Sequence, residues 1–183
     1  GEEVYTENYR EIVMPHNHRH ILARYCLAGE REYKMAAEAA LSAKKRWADM
    51  PWEHRASIFL KTADLLTGSY RYKVNAATML GQSKTVFQAE IDSACELADF
   101  FRFNVHYASE IYSEQPLNSN GVWNRIEYRP LDGFVLAVSP FNFTSIGGNL
   151  SCAPAIMGNT VVWKPASTAV LSNYYVMRIL MEA

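Results

Sequence analysis

Cysteine is scarce in this sequence. Its three residues, Cys26, Cys95 and Cys152, are widely spaced, odd in number and free of any C-x-x-C pattern. That excludes a disulfide framework and fits a reducing compartment. It also removes the paired ligands of a zinc site. The run "HNHRH", His16 to His20, has no second ligand pair at zinc spacing and reads as a solvated loop beside Pro15, so no metal is expected. No apolar run approaches the roughly 20 residues that span a bilayer, and no membrane partner is expected. A formal net charge of -1, without clustered Lys and Arg, excludes a nucleic-acid-binding surface. There is no G-x-G-x-x-G fingerprint; "IGGN" at Ile146–Asn149 is too short and wrongly placed. Internal repeats, low-complexity tracts and linkers are also missing. The opening "GEEVYTENYR" is acidic and polar, unlike a signal or transit peptide, and the lack of an initiator Met leads us to expect a preceding segment.

What remains is the composition of an ordinary globular chain, 49% hydrophobic and 20% charged over 183 residues. The first thirty residues read as extended, with "HILARYCLAG" as a short strand pair. From Glu32 the apolar spacing is helical: Met35, Ala36, Ala39, Ala40, Ala43 and Trp47 share one face. "DMPWEHR" breaks this helix and starts a second at Pro51. Its stripe is Ala56, Phe59, Leu60, Ala63 and Leu66, with Gly68 as C-terminal cap. A shorter helix ends near Gly81. A long one follows Ser83, with Phe87, Ile91, Ala94, Ala98, Phe101, Val105 and Ala108 facing the core.

The period then changes. "GVWNRIEYRP" alternates over Trp123–Tyr128 after the turn signal "NSNG", as in a projecting hairpin whose exposed edge invites a partner subunit. "GFVLAVSP" and "NTVVWKP" do not alternate and read as parallel strands buried on both faces. "SIGGNLSCAPAIM" between them is the crossover helix, despite Pro154. A further helix begins in "TAVLSNYYVMRILMEA". Two parallel strands do not form an independent sheet. We therefore expect an incomplete α/β fold, the N-terminal part of a larger protein. Residues 1–113 are its helical part, 114–130 the hairpin and 131–183 the first βα units.

Ligands of open parallel sheets bind beyond the carboxyl ends of the strands. Ser139-Pro140-Phe141-Asn142 and Lys164-Pro165 both fall there. Asn142 can donate a side-chain N–H to a developing oxyanion without titrating. Lys164 can hydrogen-bond a ribose hydroxyl or a phosphate. Taken singly, each residue also has a bland reading: an Asn after a strand forms turns and caps, and a Lys at a strand end is often simply solvated. Spacing leaves both open. Cys152, set among Ala, Pro and Leu, reads as a small core hydrophobe rather than a nucleophile. Periodicity alone makes Glu96 a solvent-facing helix position.

"SPFNFTSIGGNLSCAPAIMGNTVVWKP" strongly resembles the aldehyde dehydrogenase superfamily, which carries an Asn-Phe motif, an Ala-x-x-x-Gly-Asn turn and Val-Val-x-Lys-Pro in this order and spacing. The resemblance extends back through "MPWEHRASIFLKTADLL" and covers nearly the whole chain. "GQSKTVFQAEIDSACELADFFRFN" and "PFNFTSIGGN" are similar to the branch that oxidises glutamate γ-semialdehyde, the Δ1-pyrroline-5-carboxylate dehydrogenases. The resemblance implies the first strands of a Rossmann-like sheet and NAD as cofactor. It implies NAD-dependent oxidation of glutamate γ-semialdehyde to glutamate in proline degradation. By the same resemblance Asn142 is the oxyanion donor, and Ser139, Pro140, Phe141, Lys164 and Ser167 contact the cofactor. Ser167 stands where the wider family often has Glu, three residues after the Lys. Glu96 and Phe143 match positions beside the aldehyde pocket. The "NSNGVWNRIEYRP" hairpin matches an oligomerisation arm, implying a homodimer or higher homo-oligomer. The family's nucleophilic Cys and general-base Glu lie downstream of the Lys-Pro motif, beyond Ala183, so this chain is expected to be inactive alone. The branch is mitochondrial in eukaryotes and cytoplasmic in bacteria. A dehydrogenase for another semialdehyde and a non-catalytic homologue serving as a binding or structural subunit are the alternatives.

Overall fold

The computed structural model describes residues 2–183. Two strands, β1 (Tyr9–Met14) and β2 (Asn17–Cys26), form an antiparallel hairpin whose register slips twice after Ile12. The strand pair expected within "HILARYCLAG" is thus corrected. That segment is a single strand, and its partner is Tyr9–Met14. Period-2 patterning is weak here because most of the hairpin is exposed, with Ile12 its one buried residue. His16 to His20 lie at its exposed turn.

Helices α1 (Glu30–Ala48), α2 (Trp52–Thr67) and α3 (Arg71–Gln82) follow. Pro51 is the residue before α2, where its missing N–H costs nothing. Ala56, Phe59, Ala63 and Leu66 are buried as their spacing predicts, whereas Leu60 is exposed. On α1 only Ala40 is fully buried. Ala36 and Ala39, expected on its inner face, are exposed.

The long helix is not uniform. It runs as α4 (Val86–Ala89), a π-helical segment (Glu90–Glu96) and α5 (Leu97–Ser113). A π turn inserts an extra residue and rotates the helix face by about 100°. Phe87 and Ile91 therefore lie outside, 74% and 47% exposed, and Ala89, Asp92 and Ser93 face inward instead. After the π segment the expected stripe resumes, with Ala98, Phe101 and Ala108 buried.

Strands β3 (Val135–Val138) and β4 (Val161–Lys164) are parallel, joined through α6 (Thr144–Ile156); a 3-10 turn (Ser167–Ala169) leads into α7 (Val170–Glu182). The strands are not buried on both faces as expected. Ala137 is buried, but Leu136 and Val138 on the opposite face are each more than half exposed, because α6 covers one side and none of the described residues covers the other. The residues at 114–130 also depart from expectation. A tight turn with one bridge, Ser119 to Val122, is present, but Trp123–Tyr128 is not a paired strand. Its arms are tied by side chains. Gln115 Oε1 accepts the Ile126 N–H at 2.9 Å, and Asn118 Oδ1 accepts the Asn124 N–H at 2.7 Å.

The core gathers Phe59, Leu66, Val74, Leu97, Phe101, Cys152, Ile156, Val176 and Ile179 from α2, α3, α5, α6 and α7. Each such buried apolar side chain contributes about 1.5–3 kcal/mol. Two features fix α6 in place. Gly147 and Gly148 let neighbouring helices approach: a Cβ on Gly148 would lie 2.7 Å from Leu97 Cδ1. At the other end, buried Arg55 donates Nε–H to the Ile156 carbonyl at 3.1 Å and an Nη2–H to the Tyr112 hydroxyl at 3.0 Å. Nη1 reaches the carbonyls of Trp47, Ala48 and Met50. It is satisfied by carbonyls at two helix C-termini, whose partial negative charge suits a cation.

Candidate active site

The site starts where β3 and β4 end. Val138 is paired with Lys164, and one step on the Ser139 N–H donates to the Lys164 carbonyl at 3.2 Å. Ser139 is buried, and its Oγ accepts from Trp163 Nε1 at 3.0 Å. These bonds lock the two strand ends side by side. Beyond them the chain emerges: Pro140 is half-buried, Phe141 is 67% exposed and Asn142 is exposed. Asn142 makes no side-chain hydrogen bond among the described residues, so its amide is available. Lys164 is exposed too. Its Nζ has one hydrogen bond, to its neighbour's carbonyl at 3.5 Å, and Ser167 opens the 3-10 turn three residues on, its side chain exposed. Ser139, Pro140, Phe141 and Asn142 thus leave the carboxyl end of β3 next to the end of β4, where Lys164 stands and Ser167 follows three residues on.

Phe143 is extended (φ -139, ψ 124) and hands the chain to α6. The first amides of α6 do not await a ligand. Buried Asp92, from the π segment, accepts the Ser145 N–H on Oδ1 at 2.9 Å and the Thr144 N–H on Oδ2 at 3.1 Å. Lys84 Nζ also donates to Oδ2 at 2.6 Å, and stands 4.0 Å from the centre of the Phe143 ring. A carboxylate here is stabilised by the positive end of the helix as well as by its ammonium partner. Glu96, four residues after Asp92, accepts the Ser145 hydroxyl. It is half-buried, not solvent-facing, because the π segment turns it toward α6.

Glu96 lines an open hollow of about 470 Å³ with Ile91, Phe100, Phe103, Tyr107 and Asn149. Neither Phe143 nor Asn142 lines it. Both flank the start of α6, but the Phe143 ring turns to Lys84. Asp92 and Lys84 were not singled out in the sequence. The available signal was that Asp92 and Glu96 are four apart on one helix, with a lone Lys just before it.

Cys152 is not placed to attack. Cys152 is buried in the core, and burial pushes its thiol from 9.0 up to about 12, with the Ser151 hydroxyl a minor opposing influence. Cys26 lies in the hairpin, and Cys95, exposed on the π segment, is part of the lining of the Glu96 hollow.

The aldehyde dehydrogenase family model matches residues 4–183. The chain belongs to the aldehyde dehydrogenase family. It is 58% identical along its whole length to Delta-1-pyrroline-5-carboxylate dehydrogenase of Agaricus bisporus, covering 34% of that protein. It is 54% identical to the mitochondrial human enzyme of the same name, again over all of this chain and 32% of the relative. Among solved structures, the Mycobacterium tuberculosis Delta-pyrroline-5-carboxylate dehydrogenase bound with NAD superposes with a TM-score of 0.97 at 52% identity, over 100% of this chain and 34% of that one. The chain therefore spans about a third of the length of the curated relatives it matches. Its helices and short parallel sheet are the N-terminal region of the aldehyde dehydrogenase fold.

Proposed function

We propose that the protein to which this chain belongs oxidises glutamate γ-semialdehyde, the open form of Δ1-pyrroline-5-carboxylate, to glutamate with NAD. This chain supplies the oxyanion donor, one side of the cofactor cleft and part of the substrate wall. The observation that carries the reading is the Asn142 amide, unpartnered among the described residues, just past the end of β3, where the following amides of Thr144 and Ser145 are already paired.

The strand-end residues suit a dinucleotide. Lys164 presents an exposed ammonium and Ser167 a hydroxyl for ribose oxygens, and Phe141 offers an exposed flat ring. NAD, when bound, accepts the hydride from the aldehyde carbon. Asn142 does its work before that step. Its amide N–H donates to the carbonyl oxygen as a nucleophile adds, and it carries no charge that could titrate away. The nucleophile comes from the part of the protein this chain does not span, since Cys152 is buried and protonated at neutral pH. Glu96 and the aromatic residues around its hollow form part of the wall that receives the aldehyde.

The 114–130 arm is the oligomerisation element in this reading. Leu117 and Trp123 on it are 92% and 74% exposed, and its extended backbone lacks a ladder partner. The compartment is the mitochondrial matrix in a eukaryote and the cytoplasm in a bacterium.

The test is NADH formation by the full-length protein with glutamate γ-semialdehyde, against succinic semialdehyde and propanal at equal concentration. The reading requires the highest kcat/KM with the first. A clear preference for another aldehyde contradicts the substrate assignment. Turnover of none favours a non-catalytic homologue.

A further inference from the structure

We propose that Asp92, held by Lys84, is a positioning residue for Asn142, fixing the Asn142–Phe143 turn from the π segment of a different helix. This rests on the reading of Asn142 given above. The geometry is a clamp on both sides of one short stretch. On the helix side, the two Asp92 oxygens take the N–H groups of Thr144 and Ser145 at 3.1 and 2.9 Å. On the turn side, Lys84 bonds Asp92 Oδ2 at 2.6 Å and lies 4.0 Å from the Phe143 ring centre. Asn142 is two residues before the first clamped amide, with Phe143 pinned between them. Its own side chain has no partner within the described residues, so its orientation follows the turn, which these anchors hold together with the Gly147 N–H on the Phe143 carbonyl at 3.3 Å.

The chemistry needs a carboxylate. Asp92 meets three donors, two backbone N–H groups and an ammonium. An Asn there could accept on one oxygen only, and its NH2 would face a donor. The position also needs the π turn. Asp92 is 1% exposed and points inward only because the helix face rotates at Glu90–Glu96. π turns within α-helices recur at functional sites, and here the extra residue brings a carboxylate to the start of α6. The Lys84–Asp92 pair is far from the solvent that would screen it, with side chains 15% and 1% exposed.

The experiment is a double-mutant cycle in the full-length protein, reading kcat with glutamate γ-semialdehyde or, if that is not turned over, with propanal. NADH affinity is measured in parallel by fluorescence. Asp92→Asn is expected to lower kcat by about 10- to 100-fold, the scale of a small misplacement of a reacting group, with NADH affinity within about twofold of wild type. In an Asn142→Ala background the same substitution is expected to cost less than about twofold, because the group it positions is gone. An equal loss in both backgrounds, or an unchanged kcat in Asp92→Asn alone, overturns the proposal. If Asp92→Asn does not fold, Lys84→Met is run through the same cycle and read the same way. Propanal turnover without semialdehyde turnover contradicts the substrate assignment and leaves the cycle decisive. Turnover of neither overturns both.

Discussion

The backbone N–H of Ser139 donates to the carbonyl of Lys164 at 3.2 Å. That bond continues the β3–β4 pairing one step past the strands and holds the end of one strand against the end of the next, where Lys164 is exposed and the chain turns into Asn142. If Lys164 holds a ribose hydroxyl, a Lys164→Met variant of the full-length protein loses one hydrogen bond to a charged donor, about 1.5–3 kcal/mol. We expect about a 10- to 100-fold rise in the dissociation constant for NADH. At saturating NAD, kcat should change little. A fluorescence titration checks the first and a saturating assay the second.

Arg55 joins the ends of α1 and α6 through carbonyls alone. Arg55→Met leaves those carbonyls unpaired in a buried setting and should cost about 2–4 kcal/mol, seen as a lower urea midpoint with unchanged slope. Arg55→Lys should recover little of this, because one ammonium cannot serve carbonyls in three directions and the Tyr112 hydroxyl at once.

Gly148 faces Leu97 where a Cβ would stand 2.7 Å from Cδ1. Gly148→Ala should destabilise by about 1–3 kcal/mol through overpacking. Combined with Leu97→Ala, whose cavity the new methyl partly fills, the total should be smaller than the sum of the two single effects. Denaturant unfolding of the four variants measures the difference.

Cys152 should be chemically silent. With its thiol held up to about 12 by burial, iodoacetamide at neutral pH should leave it unmodified in the native protein and label it on unfolding. The folded state keeps this proton longer than the unfolded chain does. The stability it contributes is therefore full below pH 9.0 and declines as pH rises toward about 12. Cys152→Ala should keep activity within about twofold, as read in the standard assay.

The sequence made the order of elements legible, because the helical stripes of α2 and α5 and the two apolar runs ending at Ser139 and Lys164 are strong periodic signals. The clustering of those strand ends followed from the topology of parallel strands. Four things were not legible. A continuous 3.6-residue pattern through Phe87, Ile91 and Ala94 hides a π turn, since the shift is set by what Asp92 bonds in α6, far away in sequence. The buried Lys84–Asp92 pair is equally non-local. The open face at Leu136 and Val138 reads as core because burial in a sheet depends on layers that a single strand does not encode. At 114–130 the alternation is real, but pairing needs a partner strand, and the arm instead ties itself with Gln115 and Asn118.

The most direct test of the account is the kcat of Asn142→Ala in the full-length protein with glutamate γ-semialdehyde at saturating NAD. The account predicts a fall of about 100- to 1000-fold, the scale of losing one oxyanion donor, with NADH affinity kept within about twofold. An Asn142→Ala enzyme turning over at near the wild-type rate would contradict it.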